Sequence, residues 1–424
     1  MNHKFFSEKQ SRTLEEILHL ICSFETSFSL FSESKPAGIW DLLRYKFCSI
    51  ILASEDILPH HHHSSSIRIK LFLKRVFSIF TGLLTLLWCL IIYRRLKTLC
   101  LYSTLSISII PTNVKSSSLN IVDGPTSYHK REISLDTIRL FGLLYKTFAL
   151  KLWTTLHSDF SYMVNKVISI KGYYSSSLKS ELNLGLNAEI NEILRIYFGL
   201  NLLTYIFPSL NEAHVIPSLQ SKILAFSRLG SIFKITEYQH SYIGSSHPFH
   251  CYPSFLDRIY TCAPDTLVVN TSYDYFHYPV RFVRFAQNYS TFNDLIKHSY
   301  ALPSTFVFDV IIGTSSRYYV YLNSAIRHFI NLGLSVALKP HPNENLSTLK
   351  NQIFDDIPIL SNTLSFDTSM TMCNSYMPLC PFSTSGLDAL RLNKKLILPL
   401  LDGRILTNMY DSYEHETVHL TSSQ

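Results

Sequence analysis

Short apolar runs alternate with helical stretches through the second half of this 424-residue chain. Ser231–Tyr238 (SIFKITEY), Thr266–Asn270 (TLVVN), Thr305–Gly313 (TFVFDVIIG), Ser335–Lys339, Tyr376–Cys380 and Lys395–Leu400 (KLILPL) are aliphatic or β-branched, and Tyr318–Leu332 has helical period. Strands separated by helical stretches long enough for crossovers pair in parallel, with helices on both faces of the sheet. The pattern predicts an α/β fold of doubly wound sheets. A hinge near residues 285–304 is expected to separate two of them.

The first part of the chain reads differently. Thr13–Ile21 and Trp40–Phe47 have helical spacing, so residues 1–97 are expected to form a helical N-terminal region. His60–His63 and Ser64–Ser66 form a low-complexity run, read as an exposed loop because neighbouring imidazoles point apart. Val76–Tyr93 (VFSIFTGLLTLLWCLIIY) is uncharged, with Lys70, Lys74 and Arg75 before it and Arg94, Arg95 and Lys97 after it. It sits at the lower length limit for a membrane span and is read as a buried or interfacial helix. Thr98–Ile110 is expected to start a central sheet, and residues 132–205 to be several helices. The expected domains are 1–97, helical and membrane-associated; 98–290, a first Rossmann-like domain; and 291–424, a second.

Hydrophobic residues make up 46% of the chain and charged residues 16%, which excludes a disordered protein. Only 13 glycines occur, and no GxGxxG or GxxxxGK[ST] loop. A net charge of +7 suits an anionic substrate or an anionic membrane surface, while the lack of a basic–aromatic array argues against nucleic acid. The eight cysteines contain no CxxC pair and read as reduced core thiols.

Three constellations could carry chemistry. Ser335–Lys339 runs into Lys339-Pro340-His341-Pro342-Asn343-Glu344, so a strand delivers a Lys and a proline-flanked His to a sheet edge. In open α/β sheets ligands bind at that edge, and these side chains suit a phosphate. One βα unit later, Ser383-Thr384-Ser385-Gly386 precedes a helix, where hydroxyls and free N–H groups can form an anion site. The third is Glu237-Tyr238-Gln239-His240 with His247 and His250, read as a polar active-site loop. Its histidine spacing matches no helix-borne metal motif, and no metal is expected. Glu237 or His240 could serve as general base, with Gln239, His247 and Glu344 as further site candidates. Asp123-Gly124 and Asp402-Gly403, which follows the last expected strand, read as turns.

The first two motifs, which lie some forty residues apart, resemble those of bacterial GT-B-fold glycosyltransferases. These are enzymes of two Rossmann-like domains and a deep interdomain cleft. The nearest likeness is to the CMP-sugar sialyltransferases, polysialyltransferases and transferases of capsule or lipooligosaccharide synthesis. The resemblance implies that His341 and Pro342 form an "HP" motif. Ser383, Thr384 and Ser385 would form a hydroxyl motif, and the two together would hold the donor phosphate, with Lys339 and Gly386 beside them. Glu237–His240 with His247 is similar to a Gln-His-Gly…His element of glycosyltransferase-like proteins, with Ser241 replacing its Gly. The acidic base motif of the sialyltransferases has no match, because Val122-Asp123-Gly124 supplies one acid. The implied protein moves a sugar from a nucleotide donor to a cell-surface glycan or glycolipid. It would need no cofactor and would work in the cytoplasm or peripherally on the cytoplasmic face of the inner membrane. The alternative is a non-catalytic GT-B-like protein associated with the membrane in polysaccharide assembly.

Overall fold

The structure, a computed structural model, describes residues 12–33, 35, 37–55, 68–92, 97–103, 110–123, 131–216, 233–239, 251–253, 256, 261–271, 282–290, 307–341, 344–353, 356–381, 383, 385–407, 409–411 and 413–422. The chain divides into two compact units. The first holds residues 1–9, 19–51 and 62–288, and the second holds 10–18, 52–61 and 289–424. Residues 1–97 are therefore shared between the units.

The first unit is built on a seven-stranded sheet. Its strands are β1 (Thr98–Ser103), β2 (Leu119–Asp123), β3 (Glu132–Ser134), β4 (Glu212–Val215), β5 (Lys234–Tyr238), β6 (Thr266–Thr271) and β7 (Phe282–Ser290), in the order β3-β2-β1-β4-β5-β6-β7. The register pairs β1 with β2 and β4, β2 with β3, β4 with β5, and β5 with β6, all in parallel. The order reverses at β1, as in the doubly wound dinucleotide folds. Helices α1 (Leu14–Ser27), α2 (Ile39–Ser54) and α3 (Arg68–Ile92) precede the sheet. The short α4 (Thr112–Ser117) links β1 to β2. Between β3 and β4 run α5 (Leu135–Phe148), α6 (Leu150–Ser169) and α7 (Ser176–Ile206). Ser134 and Ser175 cap α5 and α7, each hydroxyl accepting a first-turn N–H. The two units divide at 288/289, within the expected 285–304 boundary; residues 285–290 belong to β7, and 291–304 lie outside the described residues.

A buried ion pair fixes the start of this unit. Arg44 Nε donates to Glu25 Oε1 at 2.6 Å, Trp40 Nε1 donates to the same oxygen at 2.9 Å, and both charged side chains are almost fully buried. Burial raises the Glu25 carboxyl, and Arg44 opposes that shift. All eight cysteines are free.

The second unit carries a five-stranded parallel sheet: β8 (Phe308–Gly313), β9 (Val336–Lys339), β10 (Cys373–Pro378), β11 (Lys395–Leu401) and β12 (Glu416–Leu420), in the order β12-β11-β10-β8-β9. Renumbered within the unit, this is the 2-1-3-4-5 order of the other common doubly wound fold. Val310, Ile311, Ile312, Ala337, Leu338, Met377 and Leu396 are buried whichever face they take, as covered parallel strands require. The helix expected over Tyr318–Leu332 is a 3-10 segment (Ser316–Tyr321) followed by α8 (Leu322–Asn331). Next come α9 (Leu346–Lys350), α10 (Phe366–Met370) and α11 (Ser385–Arg391). β11 is not the last strand, since β12 follows it. Asp402-Gly403 joins them, with φ of 49° and 76°, and Asp402 accepts from Tyr321 Oη at 2.8 Å and Ser422 N at 3.0 Å.

Candidate functional site

Strand order decides where a site can form in the second unit. The chain leaves β8, places β9 on one side, then crosses to place β10 on the other. Crossovers leave β8 and β10 in opposite directions, and in doubly wound sheets ligands bind outside the carboxyl ends of the strands at such a switch point. The register sets Gly313 level with Lys339 on one side and Pro378 on the other. Thr314 N donates to Lys339 O, and Leu379 N donates to Gly313 O, each at 2.9 Å. The three strand ends therefore stop together. The Lys-Pro-His turn and the Ser383–Gly386 turn leave from two of them.

A carboxylate ties the first turn down. Glu344 is buried; its Oε2 accepts from His341 N at 3.0 Å and from the Thr314 hydroxyl, joining the β8 and β9 ends. Its other oxygen, Oε1, is buried without a hydrogen-bond partner. Burial and the Glu344 charge push the Tyr319 phenol up. The His341 side chain keeps an exposed face. Its pKa is lowered, chiefly by partial desolvation; Lys339 adds to the shift and Glu344 opposes it. The neutral imidazole is thus the favoured form near pH 7.

The second turn is a set of hydroxyls holding one another. Ser383 Oγ and Ser385 Oγ lie 2.7 Å apart, Tyr376 Oη donates to Ser385 Oγ at 2.9 Å, and the Tyr410 phenol donates to the Ser383 carbonyl. Two glycines allow this approach. A Cβ on Gly313 would sit 1.9 Å from Tyr376 Oη, and one on Gly386 would sit 2.6 Å from Tyr410 Oη.

The structure brings His341, Glu344, Ser383, Ser385 and Gly386 to one sheet edge. Pro342 and Thr384 lie outside the described residues. Lys339 is buried; its ammonium donates to Ser361 O at 3.2 Å, and desolvation lowers its pKa. Its charge is engaged with a backbone carbonyl. In the first unit, Glu237 and Gln239 are buried at the end of β5, where Gln239 N donates to Val268 O at 2.9 Å. His240, Ser241, His247, His250, Gly124 and the His60–His63 run lie outside the described residues. Among the described residues no group of three or more His, Cys, Asp or Glu is placed to hold a metal ion.

Sequence reasoning missed Thr314, Tyr319, Tyr376 and Tyr410. Thr314-Ser315 carried a usable signal, since hydroxyl residues directly follow an apolar strand there as they do near Ser383. Tyr410 carried none, because it reaches Ser383 only through the fold. In comparisons with known proteins, no family model, no curated protein and no solved structure matches this chain.

Proposed function

We propose that the protein is a GT-B-like glycosyltransferase whose nucleotide-sugar donor, favoured as a CMP-sugar, sets its phosphate at the β8/β10 switch point of the second unit. The observation that carries this reading is the convergence of the Lys-Pro-His and Ser-x-Ser-Gly turns on one sheet edge. Doubly wound sheets take ligands at such switch points, and side chains there can donate to an anion. When the glycosidic C–O bond to the phosphate breaks, negative charge develops on the leaving oxygen. Ser383, Thr384 and Ser385 hydroxyls and the His341 ring are the donors that would stabilise it. Bound phosphate would raise the His341 pKa and make it a proton donor.

The acceptor hydroxyl attacks the anomeric carbon and gives its proton to a base, for which Glu237 and His240 are the candidates. The acceptor is a cell-surface glycan or glycolipid, and the work is done beside the cytoplasmic face of the inner membrane. The base assignment rests on the sequence pattern.

The test is calorimetric binding of a panel of CMP- and UDP-sugars to the full chain and to His341→Ala, with sugar transfer measured in parallel. Binding that His341→Ala weakens tenfold or more supports the reading. Absence of binding across the panel, or unchanged affinity and turnover in the variant, overturns it.

A further inference from the structure

Helix α3 is built inside out. The side it buries is mostly small: Ser78, Gly82, Thr85 and Cys89, with Leu86 among them. Ser134 Oγ donates to Ser78 O at 3.2 Å, and a Cβ on Gly82 would meet Thr137 Oγ1 at 2.2 Å, so this face packs close against β3 and α5. Five large side chains point the other way. Phe77, Phe80, Leu84, Leu87 and Ile91 are 69%, 59%, 48%, 58% and 78% exposed. Their spacing of three and four residues makes one continuous stripe along the helix. Beside it, α5 ends in the exposed Leu143, Leu144 and Phe148. A soluble surface seldom carries an apolar strip of this extent without something to cover it.

Charge says what covers it. From Ile57 to Val122 the sequence holds eight basic residues (Arg68, Lys70, Lys74, Arg75, Arg94, Arg95, Lys97 and Lys115) and no Asp or Glu. The remainder has 30 basic and 31 acidic residues, so this segment accounts for the whole net charge of +7. Basic residues occur in the sequence before and after the stripe. A second copy of the helix is a poor partner, since either orientation would bring basic ends together with no acid to pair them. An anionic lipid surface meets both demands, apolar in its acyl region and negative at its headgroups. Among the described residues no helix is long and apolar enough to cross a membrane, which fits a helix lying on the surface.

We propose that α3 is a membrane-docking helix that inserts Phe77, Phe80, Leu84, Leu87 and Ile91 into the interface of an anionic bilayer. This deepens the membrane-side part of the proposed function and is independent of its sugar chemistry. Vesicle binding can fail while donor binding holds, and the reverse.

The experiment is flotation of the full chain with phosphatidylcholine vesicles, with and without phosphatidylglycerol. Binding is expected to need the anionic lipid and to fall as salt rises. Phe80→Ser with Leu87→Ser should weaken partition on the order of a hundredfold, and Arg94→Gln with Arg95→Gln about thirtyfold. Leu332→Ser, an exposed apolar residue of the second unit, should change nothing. Phe80→Trp keeps the face apolar, and its fluorescence should be quenched by lipids brominated on their acyl chains. Equal binding to neutral vesicles, no binding to anionic ones, or no quenching at position 80 overturns the proposal. So does a dimer in solution that Phe80→Ser with Leu87→Ser dissolves while vesicle binding is unaffected.

Discussion

Glu344 offers the sharpest test of how the candidate site is held. Its Oε2 receives two donors, the buried Thr314 hydroxyl and the His341 amide. Glu344→Ala orphans both. An unsatisfied buried donor costs about 1–3 kcal/mol. The Thr314 hydroxyl is enclosed and belongs mid-range, while the His341 amide lies at a turn where water can reach it and belongs at the low end. The expected loss is about 3 kcal/mol. Thr314→Val removes one donor and leaves Glu344 bonded to His341 N–H, at about 1 kcal/mol. The double variant is diagnostic. With the hydroxyl gone, deleting the carboxylate no longer orphans it, so Thr314→Val with Glu344→Ala should be no worse than Glu344→Ala alone. The chain has two compact units, so a single global unfolding energy is the wrong readout. Hydrogen exchange of peptides covering residues 310–316 and 338–345 reports the local opening free energy. Singles that simply add in the double variant, or Glu344→Ala exchanging like wild type, would refute the claim that this carboxylate pins the two strand ends.

Other substitutions probe separate features. His341 titrates below its ordinary 6.5; its neutral form is favoured in the fold, so its small stability contribution is full above pH 6.5 and is lost as pH falls below that. Phosphate binding should have the opposite sign, tightening as His341 protonates, and ring-proton NMR with and without CMP would show a pKa that rises on binding. Gly313→Ala drives a Cβ into Tyr376 and should cost about 1–3 kcal/mol; Tyr376→Phe, which removes the nearest atom, should recover part of it in hydrogen exchange of peptides covering residues 308–316 and 373–379. Glu25→Ala removes the carboxylate partner of the buried Arg44 charge and should cost about 3–5 kcal/mol, whereas Glu25→Leu with Arg44→Leu, which still leaves the Trp40 N–H without its acceptor, should cost less in hydrogen exchange of peptides covering residues 20–47.

The chain's parallel architecture could be read where strands are long and aliphatic. Phe308–Gly313 and Lys395–Leu401 announce themselves because burial on both faces demands continuous apolar side chains. Leu119–Asp123, Glu212–Val215 and Glu416–Leu420 do not. They are four or five residues long and carry Asn120 and Asp123, Glu212 and His214, or Glu416 and His419. A run that short offers too few repeats for a period, and its pairing partners decide its state. The small residues of α3 read as part of an ordinary apolar helix, because composition does not tell which face is turned outward.

The site divides along the same line. The Lys-Pro-His and Ser-x-Ser-Gly turns were visible because each is a local run whose residue types are unusual together. What makes them one site is that β10 lies beside β8 instead of beyond β9, and nothing in either run encodes that. The pairing that puts Pro378 opposite Gly313 also brings Tyr376 over Gly313 and gives Thr314 and Glu344 their common purpose. Lys339 shows the converse. As a residue type at a strand end it reads as a phosphate ligand, and in the structure its ammonium gives one of its three N–H groups to the Ser361 carbonyl. The donor-side reading thus needs His341 and the hydroxyl turn, and should survive Lys339→Met with donor affinity nearly unchanged. A loss of donor binding as large as that of His341→Ala would instead put the Lys339 ammonium on the phosphate.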